Sequence, residues 1–162
     1  MLRDYGRQGR YEHKIKGFNS RLDTIQAVVL SAKLKYLNQW NEQRRKNADI
    51  YREYLANVPG IILPTVKSDR THVYQTYALR VKNGRDQVLK HLQDKEIGAL
   101  IHYPIPIHLQ EAYAELGHKK GDFPISESFA NEELSLPLFP HMNREQIAYV
   151  SEAVKEAIAV IK

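Results

Sequence analysis

His102, Tyr103 and His108 bracket Pro104 and Pro106 in a stretch that reads His-Tyr-Pro-Ile-Pro-Ile-His. Imidazole and phenol groups donate, accept and relay protons, and the prolines stiffen the chain that presents them, which lowers the entropy cost of ordering a binding loop. Ligand binding and orientation is the chemistry this cluster supports. Other chemistries are poorly served. Zinc needs ligands at defined spacing, and two histidines six apart on a proline-rich loop match no such pattern. Cysteine is absent, which removes thiol nucleophiles, disulfides and cysteine-based zinc sites. There is no Gly-x-Ser-x-Gly elbow, and Ser126 and Ser128 fall in an expected helix without an evident base. A phosphate-cradling loop of the P-loop or Gly-x-Gly-x-x-Gly kind is also missing. Any of the thirteen lysines could form a Schiff base only as a desolvated amine in a pocket, and none sits in an apolar strand or loop.

The elements that must hold the loop can be read from periodicity. The first twenty residues are polar, are punctuated by Gly6, Gly9 and Gly17, and show no apolar repeat, so on their own they are not expected to fold. From Leu22, apolar residues recur at Ile25, Val29, Ala32, Tyr36, Trp40, Ala48, Tyr51 and Leu55 in steps of three or four, except where Arg44 interrupts; this is one helical face. Asp23 and Gln26 form a capping box at its start, and Asn57-Val58-Pro59-Gly60 stops it. About 34 residues make a helix near 50 Å long, longer than a small domain is wide at roughly 30 Å. Gln26-Ala27, Gln39 and Asn47 interrupt a strict coiled-coil heptad.

Beyond the helix, strands are expected at 61–63, 73–81, 99–102 and 134–136, with Val73, Tyr77, Leu79 and Val81 on comparable sides. Helices are expected at 85–95, at 109–116, at 124–133 with Ile125, Phe129 and Ala130 inward, and after Asn143, which caps with Gln146 three residues on. This order predicts an α+β class: a long N-terminal linking helix, then a small, mainly antiparallel sheet with helices packed on one face.

At 162 residues and 43% hydrophobic composition the chain can bury a real core. Its net charge of +5 is spread in pairs such as Arg44-Arg45 and Lys119-Lys120, with no basic arm, so nucleic acid is not an expected partner. No apolar run approaches the roughly 20 residues that span a bilayer, and the first residues hold no signal-peptide core; no membrane partner and a cytoplasmic location are expected.

Residues 17–26 read Gly-Phe-Asn-Ser-Arg-Leu-Asp-Thr-Ile-Gln. This resembles the G-x-N-x-R-x-D-x-x-Q-A stretch of the DegT/DnrJ/StrS-type, pyridoxal-phosphate-dependent sugar aminotransferases. Arg44-Arg45, residues 48–51 and 72–77, His102-Tyr103-Pro104-x-Pro106-x-His108 and Leu134-Ser135-Leu136-Pro137-x-Phe139-Pro140 continue the resemblance in order over essentially the whole chain. It implies the C-terminal part of a fold-type-I enzyme: residues 1–21 from the large cofactor domain, 22–57 as the interdomain helix, and 58–162 as the small domain. By the same resemblance Asn19 reaches the cofactor phosphate of a neighbouring subunit in a homodimer. Arg21, His102, Tyr103 and His108 contact a nucleotide-sugar substrate, and His72 matches a family histidine without an assigned role. No counterpart of the family's Schiff-base lysine occurs here, so the chain alone is expected to be inactive and not to bind pyridoxal phosphate. Whether the missing part carries lysine or, as in a dehydratase, histidine stays open, and so do the sugar, the nucleotide and the position aminated. The alternative is a non-enzymatic regulatory or assembly module that dimerises through the long helix, with Ile25, Val29, Tyr36 and Trp40 available to water.

Overall fold

The computed structural model describes residues 1–161, which fall into two compact units, Met1–Gln39 and the chain from Trp40 onward. The first unit does hold structure in its opening residues. Strands β1 (Arg7–Gln8) and β2 (Glu12–His13) pair antiparallel, and Asp4 bridges Asn19. Glycine permits the tight approach of these turns: a Cβ on Gly6, at φ +72°, would lie 1.7 Å from the Ile15 carbonyl oxygen, and one on Gly17 would lie 2.1 Å from the Gly6 nitrogen.

The single helix expected from residue 22 is instead two, α1 (Thr24–Leu34) and α2 (Leu37–Leu55). No proline or glycine marks the break. There the Tyr36 amide reaches back only three residues, to the Lys33 carbonyl at 3.0 Å, which tightens the turn toward 3₁₀ geometry. The Asp23 cap is present, its amide donating to Gln26 Oε1 at 3.2 Å. No residue of α1 is buried, and Ile25, Val29 and Tyr36 are exposed, whereas Trp40 in α2 is half-buried with its ring edge-on to His141.

The second unit is built on an antiparallel sheet of order β3 (Ile61–Ile62), β4 (Tyr77–Val81), β5 (Glu133–Leu136). Tyr77 pairs with Leu136 and Leu79 with Leu134. The expected strand at 99–102 reduces to one bridge, Leu100 to Ser135, and Val73 lies outside β4 and is exposed. Alternation sends Tyr77, Leu79, Val81, Leu134 and Leu136 to one face, where they meet Ala48, Tyr51 and Leu55 of α2, Val88 and Leu92 of α3 (Arg85–Asp94), and Ile147, Val150 and Val154 of α5 (Arg144–Val160). Each fully buried side chain of this size contributes roughly 1.5–3 kcal/mol. Asn143 caps α5 as its spacing predicts, accepting the Gln146 amide at 2.8 Å.

Helices do not all lie on that face. The opposite face of β4 and β5 carries Arg80, Glu133 and Ser135, and α4 (Pro124–Glu132) packs there. Arg80 Nε donates to Glu132 Oε2 at 2.9 Å and its Nη2 to Ser128 Oγ at 3.0 Å. On this polar face α4 presents Ser128 and Glu132, four residues apart on one side of the helix, to Arg80. Ile125 and Phe129, expected inward, are exposed, and the Arg80 guanidinium stacks 4.5 Å from the Phe129 ring centre. Arg85, itself buried, donates from Nη1 to the carbonyls of Ala130 and Glu133 at 3.0 and 2.9 Å and so closes the C-terminus of α4. The expected helix at 109–116 is two 3₁₀ turns, Ile107–Leu109 and Glu111–Leu116.

Among the described residues the Tyr77 hydroxyl is buried without a hydrogen-bond partner, its ring stacked 4.8 Å from that of Tyr51. Burial pushes both phenols above their ordinary values, so neither ionises in the physiological range. Tyr77→Phe keeps the stacking and removes the orphan, and it is expected to raise stability by about 1 kcal/mol in urea unfolding. A decrease would show that the hydroxyl has found a partner.

Candidate active-site loop and phosphate-facing loop

In the second unit, β5 holds the His102 loop through its polar face. The Leu100 amide and carbonyl pair with the main chain of Ser135 at 3.1 and 2.8 Å, which brings the next residues over Glu133 and Ser135. The His102 amide donates to Glu133 Oε2 at 2.6 Å, and His102 Nδ1 lies 3.0 Å from Ser135 Oγ, which is 2.5 Å from Glu133 Oε1. The His102–Tyr103 peptide bond is cis, and the two rings meet edge to face with centres 5.3 Å apart. His102 is exposed, and Tyr103 is 73% exposed. Both line an open cavity of about 200 Å³ with Ile105, Pro106, Phe129 and Glu133.

His108 is placed differently. Its side chain is only 8% exposed, its Nε2 lies 3.1 Å from Glu127 Oε1, and its ring packs against Phe123. The same carboxylate oxygen accepts the Gly121 amide at 2.8 Å, so His108 and Glu127 together close the turn that precedes α4. The Gly121 hydrogen bond, with smaller help from His108 and Phe123 and against a desolvation penalty, holds the Glu127 carboxyl below its ordinary value of 4.5. A depressed carboxyl stabilises the fold above its unfolded value and loses that contribution as pH falls through its folded one. The thermal advantage of the wild type over Glu127→Gln is therefore expected at neutral pH and should vanish on acidification below 4.5, read by calorimetry across that range. An advantage that stays constant with pH would rule out a charged role.

His72, left without a role by the sequence, accepts the Tyr74 amide on Nδ1 at 2.8 Å and packs its ring on that of Tyr74, which sits at φ +49°. It shapes the loop before β4. On α2, Arg44 Nη1 donates to the carbonyls of Tyr74 and Leu138 at 3.0 and 2.8 Å, Asn47 Nδ2 to Phe139 at 3.0 Å, and the Tyr51 hydroxyl to Pro137 at 2.8 Å. The proline connector after β5 is thus clamped along one helix face.

In the first unit, Asn19 and Arg21 follow the Asp4 bridge. Main-chain bonds from Tyr5 to Phe18 and from Ser20 to Arg3, each 2.9 Å, fix the loop, while the Asn19 side chain is exposed. Arg21 is 65% exposed, with Nε 3.9 Å from Asp4 Oδ1. The Asp4 carboxyl is held below its usual range mainly by the 2.8 Å hydrogen bond from Arg7, with both arginines adding charge attraction. An exposed amide and an exposed guanidinium two residues apart suit phosphate oxygens.

Glu133, Ser135 and Glu127 are polar residues that the sequence reading did not single out. The alternation Glu-Leu-Ser-Leu in β5 is the signal that could have found the first two. Among the described residues no lysine is buried and no group of three acidic or histidine side chains could hold a metal. Nor is any described helix long and apolar enough to cross a membrane.

The chain is 44% identical over 155 residues to the erythromycin biosynthesis sensory transduction protein EryC1 of Saccharopolyspora erythraea, covering 96% of this chain and 42% of that protein. It is 44% identical to a dTDP-3-amino-3,4,6-trideoxy-alpha-D-glucose transaminase of Streptomyces venezuelae, covering 96% of this chain and 41% of that one. A crystal structure of S. venezuelae DesV in complex with ketimine intermediate matches with a TM-score of 0.90 and 43% identity over 98% of this chain and 42% of the other. The chain thus spans about 42% of the length of the relatives it matches. The family model described as the DegT/DnrJ/EryC1/StrS aminotransferase family matches residues 1–155, and the chain belongs to that family.

Proposed function

We propose that this chain is the C-terminal part of a pyridoxal-phosphate-dependent aminotransferase acting on a nucleotide-linked keto sugar. The observation that carries the reading is the family match over residues 1–155, with transaminases of dTDP-amino sugars among the relatives at 44% and 47% identity. When bound, the cofactor supplies an electron sink for chemistry at the amine-bearing carbon. The chain's own residues would position groups around it. The Asn19 amide donates to the cofactor phosphate of a partner subunit, and Arg21 forks onto the substrate diphosphate. His102 and Tyr103 orient the sugar, and His108 serves by bracing their loop against α4. Because the family's Schiff-base lysine has no counterpart in this sequence, covalent attachment of the cofactor would fall to a lysine-bearing part outside this chain, and the chain by itself would be inactive.

Co-expression of this chain with the lysine-bearing N-terminal part of a relative tests the reading. The expected result is a soluble assembly with cofactor absorbance that transaminates a dTDP-keto sugar. A folded, soluble assembly without cofactor would overturn it. A second reading, a regulatory module dimerising through α1, draws on the names of two relatives: EryC1, and a pleiotropic regulatory protein of Geobacillus stearothermophilus that is 40% identical. The exposed Ile25, Val28, Val29 and Leu30 of α1 offer it an apolar surface. In that case the assembly would bind cofactor without turning over.

A further inference from the structure

We propose that Glu133 and Ser135 act as positioning residues that fix the proton of His102 on Nδ1, leaving Nε2 as a hydrogen-bond acceptor for a hydroxyl or amine of the ligand. Both residues are 5% exposed and stand two apart on β5, on the face that meets the loop. The number of available hydrogens decides the tautomer. Ser135 has one hydroxyl hydrogen and two neighbours within reach, Glu133 Oε1 at 2.5 Å and His102 Nδ1 at 3.0 Å. Glu133 accepts at both oxygens, the second taking the His102 amide at 2.6 Å, and a carboxylate that accepts on both sides has no hydrogen to give back to Ser135. The hydroxyl hydrogen therefore points to Glu133. Ser135 Oγ then presents a lone pair to Nδ1, which has to carry the proton. A neutral imidazole has one N–H, so Nε2 is left bare.

A bare Nε2 is selective. It takes a hydrogen from a hydroxyl or amine and offers nothing to a phosphate oxygen, which has no hydrogen to give. His102 would then face the hydroxyl-bearing sugar of a nucleotide sugar, while the diphosphate is met by donors elsewhere. This assignment rests on the proposed role of the loop in substrate binding, whereas the tautomer does not.

Long-range ¹H–¹⁵N correlation spectra of the chain, labelled at histidine and recorded with the imidazoles neutral, read the tautomer directly; His102→Gln identifies the signal. The expected result is an Nδ1–H form in about tenfold excess, the ratio one net hydrogen bond supports. Ser135→Ala should shift the population toward Nε2–H, and Ser135→Thr, which restores the oxygen, should return it. An Nε2–H majority in the wild type overturns the proposal whatever the variants do, as does an unchanged tautomer in a folded Ser135→Ala chain. Neither cofactor nor substrate enters the measurement, so a failure of the aminotransferase reading would leave this result intact.

Discussion

Replacing Asn47 by alanine should lower the unfolding free energy by about 2–4 kcal/mol, a large part of the roughly 5–15 kcal/mol that holds a typical domain together. Asn47 is 1% exposed; its Nδ2 donates to the Phe139 carbonyl at 3.0 Å and lies 3.5 Å from that of Met142, and its Oδ1 accepts from Gln43 at 3.3 Å. Alanine leaves these carbonyls facing the interior with no donor, and a buried acceptor stripped of its partner costs about 1–3 kcal/mol. Leucine at the same position refills the volume yet leaves the carbonyls bare, so it should recover only part of the loss. Urea unfolding should show a lower midpoint with an unchanged slope for both variants. A loss under about 1 kcal/mol for alanine would mean that water reaches the connector, and the clamp between α2 and residues 137–142 would then count for little.

The second large effect concerns the whole aminotransferase proposed above. If Asn19 donates to the cofactor phosphate across subunits, Asn19→Ala removes a hydrogen bond to a charged acceptor, which is expected to weaken cofactor binding by about 1.5–3 kcal/mol, or about ten- to a hundredfold. Folding should hardly change, because the side chain is exposed and the loop is held by main-chain bonds. Mixing Asn19→Ala subunits with subunits that lack the catalytic lysine is the sharper arrangement. Some heterodimers then collect both lesions in one site and leave the other whole, so activity should return on mixing. Two stable variants that exchange subunits and recover nothing would exclude a cross-subunit donor.

How much of this was legible in the sequence depended on how far apart the interacting residues lie. The Asn143–Gln146 cap on α5 joins residues three apart, and spacing alone located it. The same is true of the β4 core, where Tyr77, Leu79 and Val81 repeat with the period of the strand. Arg44 reads as an interruption of an apolar face and Asn47 as a break in a heptad because the connector carbonyls they hold, of Leu138 and Phe139, lie more than ninety positions away. Apolarity predicts Phe129 inward, but the sheet face that α4 meets is polar, and that face exists only once β4 and β5 pair. The His102 loop was found from its prolines and its family likeness. What orients His102 has no local signal, since Glu133 and Ser135 sit some thirty residues later in a strand marked by its leucines. The break at Lys35–Tyr36 carries no signal in residue type at all.

Helix α4 ends at Glu132 and β5 begins at Glu133, with no residue between them. A residue added to the helix turns everything beyond it by about 100°, and a strand advanced by one exchanges its two faces. A single-codon insertion or deletion within this block would push Leu134 and Leu136 onto the polar side and Glu133 and Ser135 into the core, while pulling the Ala130 and Glu133 carbonyls off Arg85. Residues 117–120, exposed and with Gly117 at positive φ, lie outside this block, whereas Gly121 of the following turn is tied to α4 through Glu127. Length changes are therefore expected to be borne better in the exposed turn before α4 than within the α4–β5 block, where helix and strand act as one unit of fixed length.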